Sequence, residues 1–581
     1  MSLILFGAAT SYSGVMAFLG GLLILIVGYV TYGRFVEKTL GPDDRQTPAI
    51  KYNDGVDYVV LPHWKNMLIQ LLNIAGIGPV IGVIAGIKFG AIVFILIPIG
   101  NIIGGATHDF IAGMASLRNR GGNLPGFIKM TLGSVYYRFF SVFMIFLLLL
   151  VVAVFINVPA NLTSGMVIPG SKEAIQQATV DLEKQINELE AKGVSQLILR
   201  NDKALAVFNA GQKKVAPSPE EEKQHQSYFW YAVVLIFLYY ILATMFPVDK
   251  IIGKLYPIFG AILLLGSMAL LVALLRESFK DPSLLLESIA FKTAKGSFLA
   301  SHPIVPCLFV TIACGILSGF HATQSPIIAR TMKSEREARS SFYGMMVLEG
   351  VIAMIWAGAA LAVYNAYLDF YPEFWTDQTA NDVLPIITNI FLGSNVGTVT
   401  VLAVVVLAIT SGDTAMRSVR LSLAEMLNID QKPIAKRIAV CLPLIVAISI
   451  LLFWSNQDKA SFGKLWNYFA WGNQVLAAST LGAGCVWLYG RKRAGWISAV
   501  PCFYMTFIVV AYILWTSPEH KGPQGLGLDL TLSYLIGLFV SCIFVVWCVV
   551  RGKKIGKTGG VGMEYVDPND GVLEADNQIN D

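Results

Sequence analysis

The sequence predicts an all-α polytopic membrane protein of about 13 transmembrane helices. Three observations predict it. Of 581 residues, 55% are hydrophobic and 14% charged, with a mean hydropathy of +0.62. Soluble domains carry about 25% charged residues, and a soluble chain this poor in charge would expose large apolar patches. The same composition argues against disorder. Second, apolar runs of about 20 residues, the length that crosses a bilayer, recur along the chain. Third, Lys and Arg alternate from loop to loop as the positive-inside rule requires.

The runs fall at 14–33, 66–87, 89–115, 135–157, 229–247, 251–275, 303–329, 341–366, 397–416, 434–454, 462–489, 495–515 and 529–550, and 383–396 is a candidate for a short re-entrant piece. The first run has neither a basic leader nor a small-residue cleavage site, so it reads as an uncleaved span. Placing the N-terminus outside puts 27 Lys and Arg on the inner side against 16 on the outer. Eight of those 16 lie in the one long loop, 158–228, and long loops barely influence orientation. The C-terminus is therefore expected inside. Within that loop, Ile175, Thr179, Leu182, Ile186 and Leu189 follow helical spacing, so 172–191 reads as an external amphipathic helix. The polar, Gly-rich tail after Lys557 reads as disordered. The seven cysteines sit in apolar stretches with no metal-ligand grouping and read as buried, inert thiols. A net charge of +5 offers nothing to nucleic acid; the expected partners are a small-molecule substrate and the lipid bilayer, and oligomeric state is left open.

Two spans carry helix breakers at mid-membrane. The second reads Asn73-Ile74-Ala75-Gly76-Ile77-Gly78-Pro79, and the seventh runs from Ala313-Cys314-Gly315 through Ser318-Gly319-Phe320-His321, with Pro326 beyond. Backbone freed at depth survives only where it lines a cavity or is buried in protein, and paired breaks are the best sequence pointer to a transporter site. The bland alternative is that these glycines only allow close helix packing. The breaks lie five spans apart, an odd offset, so they run in opposite directions. This gives a LeuT-like 5+5 inverted repeat core with one extra N-terminal and two extra C-terminal helices. The chain then divides into 1–65 (first helix and cytoplasmic loop), 66–275 (first repeat, with insertion 158–228), 303–490 (second repeat), 491–557 (two C-terminal helices) and the tail 558–581.

Ionisable groups inside spans are costly and usually functional. Asp109, next to His108, lies in the third span, Glu349 in the eighth, His321 past the second break and Asp413 at the end of the ninth. Each has a structural alternative: Asp109 with Arg118, Asp413 with Arg417 four residues on, His321 as a satisfied core histidine, and Glu349 with no partner nearby in sequence. Thr410 and Ser411 face the first break in a LeuT-like core. With the carbonyls around Ile74 and Ile77 they form a possible Na⁺ site, although such hydroxyls often bond their own helix. Asn473 and Gln474 lie in the eleventh span.

Asn53-Asp54-Gly55-Val56-Asp57-Tyr58, Ile74 to Pro79, Asp109-Phe110, Thr311 to Gly315, Ser318 to Ala322, Tyr343-Gly344, Glu349, Asp413 with Arg417, and Asn473-Gln474 together resemble the carbon starvation protein A (CstA) family, from about residue 30 to about 490. The resemblance implies a bacterial inner-membrane transporter of the amino acid–polyamine–organocation superfamily, linked to uptake of peptides and pyruvate under nutrient limitation. This chain departs from the family pattern where Ile69-Gln70 replaces a His-His pair, where Gln324-Ser325-Pro326-Ile327 replaces a Gly-Thr-Thr-Pro-Lys-like stretch, and at Met416. The departures fall near the inferred site and leave open both the substrate and the coupling ion, Na⁺ or H⁺.

The expected function is a secondary active symporter, not an enzyme and without a cofactor. No nucleophile–base pair, HExxH motif or phosphate loop is present. A half-helix N-terminus suits a carboxylate, and Asn73, Gly76, Gly78, Gly315, Ser318, Gly319, His321 and Gln324 are the candidate substrate residues. Ile74, Ile77, Thr410, Ser411, Asp109, Glu349 and Asp413 are the candidate ion-coupling residues. Gly76→Leu or Gly315→Leu should abolish uptake. A channel would need more polar positions along the spans, and a starvation sensor would lean on loop 158–228.

Overall fold

Helices interrupted by glycine and proline, and the long helices packed around them, make up the computed structural model. It describes residues 12–167, 219–368, 374–517 and 525–557 apart from positions 56, 246–247, 430, 432 and 458. The expected helix 172–191 and the tail after Lys557 lie outside the described residues. Every regular element among the described residues is helical.

Among the described residues, ten helices are long and apolar enough to cross a membrane, eleven if the bent pair His63–Ile74 and Gly78–Phe89 counts as one span. The expected figure of about 13 includes two more segments. One is Lys459–Gly490, a single 32-residue helix whose composition is diluted by Lys464, Asn467, Asn473 and Gln474. The other is 303–329, which the chain divides into short helices. The stretch 383–396 is helical up to Gly393, whose φ of 76° favours glycine, and the chain then restarts as the next long helix.

Burial sorts the helices into centre and periphery. The Glu335–Leu368 segment is 89% buried across its apolar window, whereas the Leu530–Lys557 helix is only 22% buried. The last helix leaves Leu535, Phe539 and Val550 exposed, an apolar outer face that suits lipid. Of the seven cysteines, Cys307, Cys441, Cys485, Cys502 and Cys548 are buried and Cys314 is half-buried. Cys542 is exposed on that same last helix, so the expectation of uniformly buried thiols fails there.

Segments flanking the two breaks are fastened to each other at one end of the bundle. Residues 59–61 lead into the first broken span, and 330–331 follow the second. Val59 N–H donates to the Arg330 carbonyl at 3.1 Å and Leu61 N–H to the Thr331 carbonyl at 3.0 Å. Nearby, Arg118 pairs with buried Glu335 at 3.1 Å and donates to the carbonyls of Leu40 and Gly41. The Thr47 hydroxyl donates to the Met332 carbonyl at 2.6 Å. A hydrogen bond from Arg45 holds the Asp43 carboxyl well below the usual carboxylate range. These contacts fix how the two broken segments enter the core.

Candidate functional site

The first half-helix, His63–Ile74, stops where Ala75 leaves helical geometry at ψ 64°. The chain resumes at Gly78–Gly82 as a π-helical turn, 54° off the first axis. In the second broken segment Leu317 is extended (φ −167°, ψ 112°) and a new half-helix, Phe320–Ala329, starts after Gly319. The two breaks touch each other. A Cβ on Gly78 would sit 2.2 Å from the Cys314 Sγ, and one on Gly82 would sit 2.8 Å from the Thr311 carbonyl oxygen. The glycines are required for this approach.

Backbone groups freed at the breaks find partners on other helices, as burial demands. The Ser411 hydroxyl donates to the Leu72 carbonyl at 2.9 Å. Asn101 Nδ2 donates to the carbonyls of Gly315 (3.1 Å) and Met346 (2.9 Å). Phe320 N–H donates to Asn473 Oδ1 at 2.6 Å, and Asn473 Nδ2 donates to the Ser318 hydroxyl at 2.8 Å. Gly319 lies directly on the Asn473 helix: a Cβ there would meet the Asn473 carbonyl oxygen at 2.3 Å. Asn473→Ala leaves the Phe320 N–H buried without an acceptor, a cost of about 1–3 kcal/mol. The expected result is a lower melting temperature of the solubilised protein; an unchanged one would sink the capping role.

Three carboxyl and imidazole groups expected separately are joined into one buried chain. His108 Nδ1 meets Asp109 Oδ1 at 2.8 Å, and Asp109 Oδ2 meets His321 Nδ1 at 2.9 Å. On the far side of the ring, His321 Nε2 lies 3.7 Å from Glu349 Oε2. The Ile74 backbone carbonyl borders the same ring. All four side chains are fully buried. With both Nδ1 atoms turned to Asp109, the tautomers follow from geometry: each donates its Nδ1–H to the carboxylate. Among the described residues, His321 Nε2, His108 Nε2 and both Glu349 oxygens have no hydrogen-bond partner. The expected alternative of Asp109 with Arg118 is not the arrangement, since Arg118 is held by Glu335.

Other expected residues divide between this core and its surroundings. Asn73 lies in the last turn of the first half-helix, fully buried, and neither of its amide atoms has a partner among the described residues. Gln324 Nε2 donates to the hydroxyls of Thr323 and Ser418, leaving its Oε1 unpartnered. Gly76 lies beside Phe155, whose ring stacks edge-on to Phe320 at 5.9 Å and so bridges the two breaks. Gly315 packs on Ala353 and Val83. Of the expected Na⁺ ligands, Ser411 is at the first break, but Thr410 Oγ1 donates to its own helix at Leu407. The Ile77 carbonyl already accepts from Val80 and Ile81. Asp413 accepts from Tyr239 at 3.4 Å, outside the His321 chain, and Arg417 faces Asp57 at 3.8 Å. His108 and Asn101 join the site without having been singled out. A lone amide within the apolar run around Asn101 was the available signal.

The sequence matches the family described as carbon starvation protein CstA over residues 13–399 and 385–511. It is 40% identical over 357 residues to an uncharacterised membrane protein of Haemophilus influenzae, covering 59% of this chain and 89% of that one. It is 24% identical to the peptide transporter CstA of Bacillus subtilis over 95% of this chain and 99% of that one. Against the peptide transporter CstA of Helicobacter pylori the identity is 30%, over 57% of this chain and 49% of that one. Among solved structures, MhsT in complex with L-phenylalanine aligns with a TM-score of 0.47 at 12% identity, over 85% of this chain and 99% of that chain.

Proposed function

Since the chain belongs to the carbon starvation protein CstA family, a membrane transporter family, we propose that it is a proton-coupled secondary carrier importing a small carboxylate-bearing nutrient. Peptides, amino acids and pyruvate all fit that description. The observation that carries the reading is the His108–Asp109–His321–Glu349 chain, built where the two breaks meet. Its groups adjoin one another closely enough to interact, and the chain changes shape if either break moves.

In this reading the core is two five-helix repeats of inverted topology, in a bacterial cytoplasmic membrane with the N-terminus outside and the C-terminus inside. The substrate carboxylate lies near the start of the Phe320–Ala329 half-helix, drawn by the positive end of the helix dipole, the Phe320 N–H itself being taken by Asn473. Asn73 supplies an unused amide donor for it, while the unpartnered Gln324 Oε1 can only accept, as from a substrate amine. Phe155, packed against both Gly76 and Phe320, closes the site from one side. Rocking of the unit that carries both breaks alternates access.

The test is uptake into proteoliposomes of labelled pyruvate, amino acids and dipeptides, under separately imposed H⁺ and Na⁺ gradients. A proton gradient alone is expected to drive at least one of these above its external concentration. Accumulation driven by Na⁺ alone would move the coupling to the Ser411 crossing. Equilibration without accumulation under either gradient would make the protein a channel.

A further inference from the structure

At the end of the bundle where the first span also ends, an open cavity of about 590 Å³ is lined by Tyr489, Lys492, Arg493, Lys553, Gly556 and Lys557. Two glycines one helical turn apart create it. A Cβ on Gly552 would lie 2.8 Å from the Tyr489 Cβ, and one on Gly556 would lie 2.8 Å from the Tyr489 carbonyl oxygen. The last helix therefore presses against the end of the Lys459–Gly490 helix. That approach brings Lys553 and Lys557 alongside Lys492, which turns the chain with a φ of 57°, and Arg493. Lys553 Nζ lies 5.6 Å from the Tyr489 ring centroid. Among the described residues none of these four cations has a carboxylate within ion-pair distance.

Four like charges around one opening repel each other unless an anion joins them. The surface next to the cavity indicates which kind of anion. Along the last helix, one to two turns back from Lys553, Val546, Trp547 and Val550 are exposed. Trp496, three residues past Arg493, is exposed too and stacks on Phe35 at 5.7 Å. Exposed tryptophans at helix ends mark the membrane interface, and basic pockets between spanning helices bind anionic head groups. We propose that the cavity between Tyr489, Lys492, Arg493, Lys553 and Lys557 is a binding site for the phosphate head group of an anionic phospholipid, whose acyl chains lie along the Val546–Val550 face.

The experiment is native mass spectrometry of the full chain titrated with phosphatidylglycerol or phosphatidylcholine, repeated on the double variant Lys553→Gln/Lys557→Gln. The wild type should retain phosphatidylglycerol at least about tenfold more tightly than phosphatidylcholine, and the variant should lose that preference. Lys553→Arg/Lys557→Arg should keep it, and the Gln variant should keep its substrate exchange, which excludes misfolding as the cause. Equal retention of the two lipids, or unchanged selectivity in the Gln variant, overturns the proposal. So does displacement of phosphatidylglycerol by millimolar inorganic phosphate, which would make the ligand a soluble anion. Residues 558–581 carry six Asp or Glu and no Lys or Arg. Selectivity that appears only after their removal would assign the cavity to the tail and overturn the lipid.

Discussion

Glu349→Gln should abolish proton-driven accumulation of substrate, by at least about tenfold, while exchange of internal for external substrate stays within about twofold of wild type. Gln has the size of Glu and hydrogen-bonds well, but it cannot give up a proton. Glu349 faces His321 Nε2 across 3.7 Å, wider than a hydrogen bond, and His321 is fixed from behind by Asp109 at 2.9 Å. A shift of well under one turn in either broken segment would close or open that gap. Accumulation needs the cluster to change its proton count between the two faces of the cycle; exchange needs only the substrate site. A purely structural Glu349 would leave both activities intact, because the amide satisfies the same space at no cost in buried charge. If exchange fell together with accumulation, Glu349 would belong to the binding surface and not to coupling. Counterflow and gradient-driven uptake measured on the same proteoliposomes separate these outcomes.

The breaks were legible in the sequence because breakers act locally. Gly76, Gly78 and Pro79 in one run, and Gly315 with Gly319 in another, weaken the helix as clusters, whereas a lone glycine such as Gly358 stays inside one. The buried ionisable residues were legible for a similar reason, since Asp109, His321 and Glu349 are conspicuous in apolar runs. Their pairing was not. Asp109 and His321 are 212 positions apart, while the spacing rules for helices report only neighbours three or four residues away. The same limit explains Arg118, whose nearest acidic residue in sequence is Asp109 but whose partner in space is Glu335. It explains Asn101 as well, which serves carbonyls of Gly315 and Met346 from a distant helix. The Thr410 hydroxyl, for which the sequence offered both an ion and its own helix, gives its hydrogen to the Leu407 carbonyl.

Gly78→Ala is expected to reduce uptake by at least about tenfold, although it adds a single methyl group and improves helix propensity. The added Cβ would lie 2.2 Å from Cys314 Sγ and 2.3 Å from Cys314 Cβ. A side chain can turn its sulfur away, but its Cβ is fixed to the backbone, so the two broken segments must part. Overpacking of this kind costs about 1–3 kcal/mol, and here the displaced elements carry His321 on one side and the Ile74 carbonyl on the other. Gly20→Ala is the matched control, because nothing lies within 4 Å of the position its Cβ would take. Cys314→Gly in the Gly78→Ala background transfers the missing side chain to the opposite wall, leaving the Cys314 Cα, at 3.8 Å, as the nearest part of residue 314. The double variant should therefore recover most of the lost uptake, a coupling that independent sites do not produce. Full uptake in Gly78→Ala would mean that the breaks tolerate separation; loss without rescue would place the defect in the Gly78 backbone instead of in the contact with Cys314.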